Sequence, residues 1–135
     1  MAGYSLHLWP DQYLRHLMKV IGTIGRHSRA IILGRGANFI LPADNIFRVR
    51  IFAPLKVRVK NVSRTFAVAV DEAKRRIIKT DSDRRAFVRK YFNADVSNPD
   101  HYDLIINTEH LSIEAASDSI QVAFEGFQQN NLARN

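Results

Sequence analysis

Apolar residues recur along the chain in two rhythms. From Leu14 the positions Leu14, Leu17, Met18, Ile21 and Ile24 fall at i, i+3, i+4, i+7 and i+10, which is one stripe of an amphipathic helix. Pro10 suits the first turn of that helix, where its missing N–H has no intrahelical partner, and Gly25 is its stop. Ala30–Leu33 is a short continuous apolar run ended by Gly34, and it predicts a buried strand. Ile46–Phe52 predicts a second strand and Leu104–Ile106 a third. Between them, Pro54 opens a helix with Leu55, Val59, Val62 and Phe66 on one face. Asp71-Glu72 opens another helix that runs to about Phe92, with its carboxylates at the positive end of the dipole. Asn93–His101 is rich in turn residues. Ser112 is a good N-cap for a last helix whose stripe is Ile113, Ala116, Ile120, Phe124 and Phe127; the polar end from Gln128 is expected to fray.

Short buried strands alternating with amphipathic helices predict an α/β fold, a short parallel sheet flanked by helices. At 135 residues a single domain is expected, over 1–135. The apolar share of 46% suits a globular chain, and the absence of cysteine excludes disulfides and thiolate chemistry. No apolar run reaches the roughly 18 residues a membrane span needs. The first residues lack a basic stretch leading into an apolar one, so no secretory signal is read and a cytoplasmic location is expected.

Charge changes the picture more than composition does. Residues 48–90 carry 14 basic and 4 acidic groups, net +10, whereas residues 91–135 carry 1 basic and 7 acidic, net −6. A concentrated basic segment points to a polyanionic partner, either nucleotide phosphates or nucleic acid. Single-strand binding is the less favoured of these. The segment has few interleaved aromatics, only Phe52, Phe66 and Phe87, and the first two fit core positions.

Few constellations carry chemistry. No G-x-x-x-x-G-K-[ST] loop occurs, and Gly34-Arg35-Gly36 is followed by Phe39 where a dinucleotide loop needs a small residue. The histidines His7, His16, His27, His101 and His110 show no metal-site spacing, and no serine sits in a G-x-S-x-G elbow. Arginine remains. Arg35 stands at the carboxyl end of a predicted parallel strand, the edge where such sheets bind ligands. Asp81 and Arg84 share one helix face, with Arg85 at i+4. By spacing alone this is a surface ion pair first, and a carboxylate-oriented phosphate clamp second.

Three blocks taken together resemble the cytidylate-kinase-like family of P-loop kinases: Ala30-Ile31-Ile32-Leu33-Gly34-Arg35-Gly36-Ala37-Asn38, Phe47–Leu55, and Tyr102-Asp103-Leu104-Ile105-Ile106-Asn107-Thr108. The resemblance covers about residues 10–125, with 48–90 as a basic, lid-like helical segment. It implies phosphoryl transfer from ATP, with Mg²⁺, to CMP or dCMP. It also implies that Arg35, Asn38, Arg58 and Arg76 contact substrate and that Asp81 and Arg84 act in catalysis. Asp81 and Arg84 match the end of a lid pattern R-x-x-x-D-x-x-R, whose first arginine falls on Ile77, one residue after Arg76. The family's phosphate loop and its strand would stand ahead of these blocks, so the chain is expected to be truncated and inactive alone. The gap left by that strand implies a homo-oligomer or another assembly. The alternative is a non-catalytic module that binds nucleotide or nucleic acid, or an assembly partner.

Overall fold

The computed structural model describes Arg15, Leu17, Lys19, Val20, Gly22 and residues 30–34, 36–44 and 46–134. The chain divides into two compact units, 1–46 and 47–135.

In the first unit Arg15, Leu17, Lys19, Val20 and Gly22 are helical, within the predicted helix; its expected start at Pro10 and stop at Gly25 lie outside the described residues. The expected strand at Ala30–Leu33 does not form. These residues enter no ladder, and Ile31 is 92% and Leu33 86% exposed. An apolar run is compatible with a strand, but only a paired neighbour makes it one. Gly34 (φ 71°) and Gly36 (φ 69°) then turn the backbone through the left-handed region and feed a short helix α1, Ala37–Ile40, which the hydrophobic pattern does not announce.

The second unit runs β1 (Val49–Phe52), α2 (Leu55–Phe66), α3 (Val70–Phe92), a 3₁₀ turn at Pro99–His101, β2 (Leu104–Asn107) and α4 (Ile113–Arg134). The two strands are parallel, with Val49 opposite Leu104 and Ile51 opposite Ile106, so the α2–α3 pair forms the crossover that a parallel pair needs. A staple closes the sheet's leading end. The Arg48 backbone N–H donates to Asp103 Oδ2 at 2.8 Å, and its guanidinium holds both carboxylate oxygens at 3.2 Å. Burial alone would raise the Asp103 carboxyl, but the Arg48 side-chain and backbone hydrogen bonds and the guanidinium charge outweigh it and hold it below the usual range.

Local chemistry sets the helix boundaries. The Pro54 carbonyl accepts from the N–H groups of Val57 and Arg58 and so starts α2. Ala67 ends α2 in the left-handed conformation (φ 51°), while Ser63 Oγ donates to the Val68 carbonyl at 2.6 Å and braces the turn. Asn93 closes α3 in the same conformation (φ 48°). Ser112 Oγ accepts from the Ala115 N–H at 3.0 Å, the N-cap bond its position predicts. Helical structure continues through Gln128–Arg134, where the polar sequence suggests fraying.

The hairpin core is small: Val59, Ala73 and Ile77 are buried, with Val62 and Val68 packed against them. Ala73, with no exposed surface, lies within this cluster and allows the two helices a close approach. A second apolar cluster joins α4 to the lead-in of β1, with the Phe47 ring 5.8 Å from Phe124 and 5.4 Å from Phe127. Two expected core aromatics lie outside these clusters: Phe66 is 63% and Phe52 37% exposed. Each stands at the last position of its element.

Candidate functional site

The concentrated positive charge folds into the α2–α3 hairpin. Its centre is an interhelical ion pair in fork geometry. Arg58 Nη1 donates to Asp81 Oδ2 at 2.8 Å and Nη2 to Oδ1 at 2.7 Å. Both side chains are partly exposed, at 34% for Arg58 and 25% for Asp81. The hydrogen bonds from Arg58 hold the Asp81 carboxyl below the ordinary aspartate value; its burial opposes this, and the charges of Arg58, Arg84 and Arg85 add to the lowering. The same hydrogen bonds raise Arg58.

This arrangement corrects the expected pairing of Asp81 with Arg84. Neither Arg84 nor Arg85 forms an ion pair among the described residues, and both are exposed. The carboxylate's partner comes from the other helix, where the planar Arg58 guanidinium makes two hydrogen bonds to it at once. A signal for it exists in the sequence. Arg58 stands 9 residues before Ala67 and Asp81 stands 12 after Ala69, so antiparallel helices bring the two within about one turn of each other.

Arg76 is committed differently. Its Nε donates to Glu72 Oε1 at 3.0 Å, and Arg75 bonds the other oxygen of the same carboxylate. The hydrogen bonds from Arg75 first, and Arg76 second, lower the Glu72 carboxyl. Arg76 therefore braces the first turns of α3, one helical turn away from the Arg58–Asp81 pair. Arg35 lies outside the described residues. Asn38, in α1, belongs to the other unit; its side-chain Nδ2 is buried with no hydrogen-bond partner among the described residues. Of the six residues singled out in the sequence, the structure thus brings Arg58 and Asp81 into contact, with Arg84 close enough to act on the carboxylate through its charge.

The hairpin can present arginines to an anion from a braced frame. The described residues contain no group of three or more His, Asp or Glu side chains able to hold a metal ion. No described helix is long and apolar enough to cross a membrane.

The profile of the cytidylate kinase-like family matches residues 1–110. The cytidylate kinase of Methanosphaera stadtmanae is 32% identical over 95 residues, which is 70% of this chain and 54% of that protein. That of Methanosarcina barkeri is 28% identical over 104 residues, 76% of this chain and 58% of the relative. That of Sulfolobus acidocaldarius is 35% identical over 68 residues, 50% and 37% respectively. The chain spans about half the length of the first two of these relatives. Because the profile covers Arg35, the hairpin and β2 alike, the chain belongs to the cytidylate kinase-like family.

Proposed function

We propose that these 135 residues supply the acceptor and lid side of a phosphoryl transfer from ATP to CMP or dCMP. The observation that carries this reading is the Arg58–Asp81 fork. It locks α2 to α3 and neutralises one arginine, while Arg84 and Arg85 remain exposed and unpaired among the described residues beside it. Phosphoryl transfer asks little covalent chemistry of the protein; it asks for positioned positive charge around the phosphoryl oxygens that carry the charge in the transition state.

In this reading Arg84 is the catalytic arginine that faces the transferring group, and Asp81 acts through Arg58 to fix the frame. Arg35 and Asn38 contribute to the acceptor side, Asn38 with a buried amide that has hydrogen-bonding capacity to spare. Arg76 steadies α3 through Glu72. Mg²⁺ arrives with the nucleotide phosphates, for which no resident carboxylate cluster is needed. The sequence contains no G-x-x-x-x-G-K-[ST] loop, so the cradle for the donor phosphates is not assigned to these residues.

Calorimetric titration with CMP, dCMP, AMP and ATP–Mg²⁺ tests the reading. Selective, saturable binding of CMP or dCMP is expected. Arg84→Ala should weaken binding of a ligand whose phosphate it meets by about 1–3 kcal/mol, the worth of a charge-assisted hydrogen bond. No binding of any cytidine nucleotide at millimolar concentration would overturn the assignment.

A further inference from the structure

Helix α2 carries three basic residues besides Arg58. Lys56, Lys60 and Arg64 stand at i, i+4 and i+8, which places them on one ridge of the helix, about 6 Å apart in rise per step. All three are exposed, and none forms an ion pair or side-chain hydrogen bond among the described residues. The helix contains no acidic residue at all, so nothing on α2 offsets the ridge. On the first half of α3 acids stand among the bases: Arg75 and Arg76 are met by Glu72 and Lys79 by Asp83, while Arg84 and Arg85 further on lack an ion pair among the described residues. Like charges at i, i+4 repel, and Lys56 sits in the first turn, at the positive end of the helix dipole. A folded chain that keeps this repulsion twice over and adds a dipole conflict has a surface that an array of anions would relieve.

We infer that Lys56, Lys60 and Arg64 form a docking ridge for the phosphate backbone of nucleic acid. Each step of the ridge, about 6 Å, is close to the axial advance of two phosphates of one duplex strand at about 3.4 Å each. A lone nucleotide could engage one step of it, but only a polymer engages all three. The ridge has no aromatic member on which bases could stack, so it holds backbone without reading sequence. Duplex, with about one charge per 1.7 Å of axis, is then bound at least as well as a single strand. An anionic membrane surface is the poorer fit. A helix that lies in a bilayer interface exposes a continuous apolar face beside its basic one, whereas the middle of that face on α2, Val59 and Val62, packs with Ala73 and Ile77 and only its end residues Leu55 and Phe66 are exposed.

This inference is independent of CMP binding and is read separately from it. Fluorescence anisotropy of the full chain with a labelled strand of about 20 nucleotides, and with the matching duplex, is measured across salt concentrations. Saturable binding is expected, with duplex at least equal to single strand. In the triple variant Lys56→Gln, Lys60→Gln, Arg64→Gln the affinity should fall by at least about tenfold and the slope of log affinity against log salt by about 2 to 3. Lys56→Arg with Lys60→Arg should retain binding, and unchanged far-ultraviolet circular dichroism of both variants certifies the fold. Three outcomes would overturn the inference: no saturable binding by the parent chain at low salt, undiminished binding by the folded triple variant, or tighter binding to vesicles of anionic lipid than to duplex.

Discussion

Helix α3 opens with Asp71 and Glu72 and closes with Arg89 and Lys90, so both of its ends suit the helix dipole. Helix α2, packed against it, opens with Lys56 and has no acid in its first turn. On α3, Glu72 takes up Arg75 and Arg76, and Asp83 takes up Lys79. On α2 the one arginine with a partner, Arg58, must reach across to the other helix to find it. The two helices therefore differ in where their stability comes from. Helix α3 is supported by its own sequence at both ends and by ion pairs through its first half. Helix α2 depends on what it packs against, through Val59 and Val62 on one side of the chemistry and Arg58 on the other.

The sharpest way to break that contrast is to remove the shared core. Ile77→Ala should destabilise the hairpin by about 2–4 kcal/mol, the usual cost of emptying a buried aliphatic site. Circular dichroism melting should show it as a clear fall in melting temperature. Removing the cross-helix fork comes next. Asp81→Asn should cost about 1–2 kcal/mol, less than a fully buried pair because both groups are partly open to water. The same variant has a pH signature. The Asp81 carboxyl is held below its ordinary value by Arg58, so the stability it contributes is present above the unfolded aspartate pKa of about 3.9 and is lost as pH falls through the lower folded value. Urea midpoints measured from neutral to acid pH should therefore fall less steeply in Asp81→Asn than in the parent. The smallest effect has the opposite sign. Lys56→Glu should stabilise the protein by about 0.3–1 kcal/mol by matching the dipole, read as a raised urea midpoint.

The features that rest on neighbours close in sequence were legible before any coordinates. The helix over Asp71–Phe92 follows from its acidic start, and the last helix from Ser112, whose hydroxyl caps it. The parallel relation of Phe47–Phe52 and Leu104–Ile106 was legible as a class of fold, and the register then added which residues face one another. The failures are the features that need a distant partner. Ala30–Leu33 has the composition of a strand, yet composition does not supply the ladder. Spacing along one helix is visible in a sequence and sets Asp81 beside Arg84, whereas Arg58 becomes a neighbour only when the turn at Ala67–Ala69 folds α3 back. The arginines of the candidate site are visible in the sequence, and the fork that joins Arg58 to Asp81 is not.

The Arg48–Asp103 staple joins positions 55 apart in the chain. Closing a loop of that length costs on the order of 3–4 kcal/mol of chain entropy before any ladder bond repays it. The hairpin between the strands has a far shorter loop to close, since Ala67–Ala69 is all that separates its helices. Assembly thus has a natural order: the two helices first, shortening the effective loop, and the strands afterwards. A clamp made in the last step guards the exit from the native state and leaves the entrance alone. Arg48→Ala should accordingly speed unfolding several-fold in stopped-flow experiments while refolding keeps nearly its original rate.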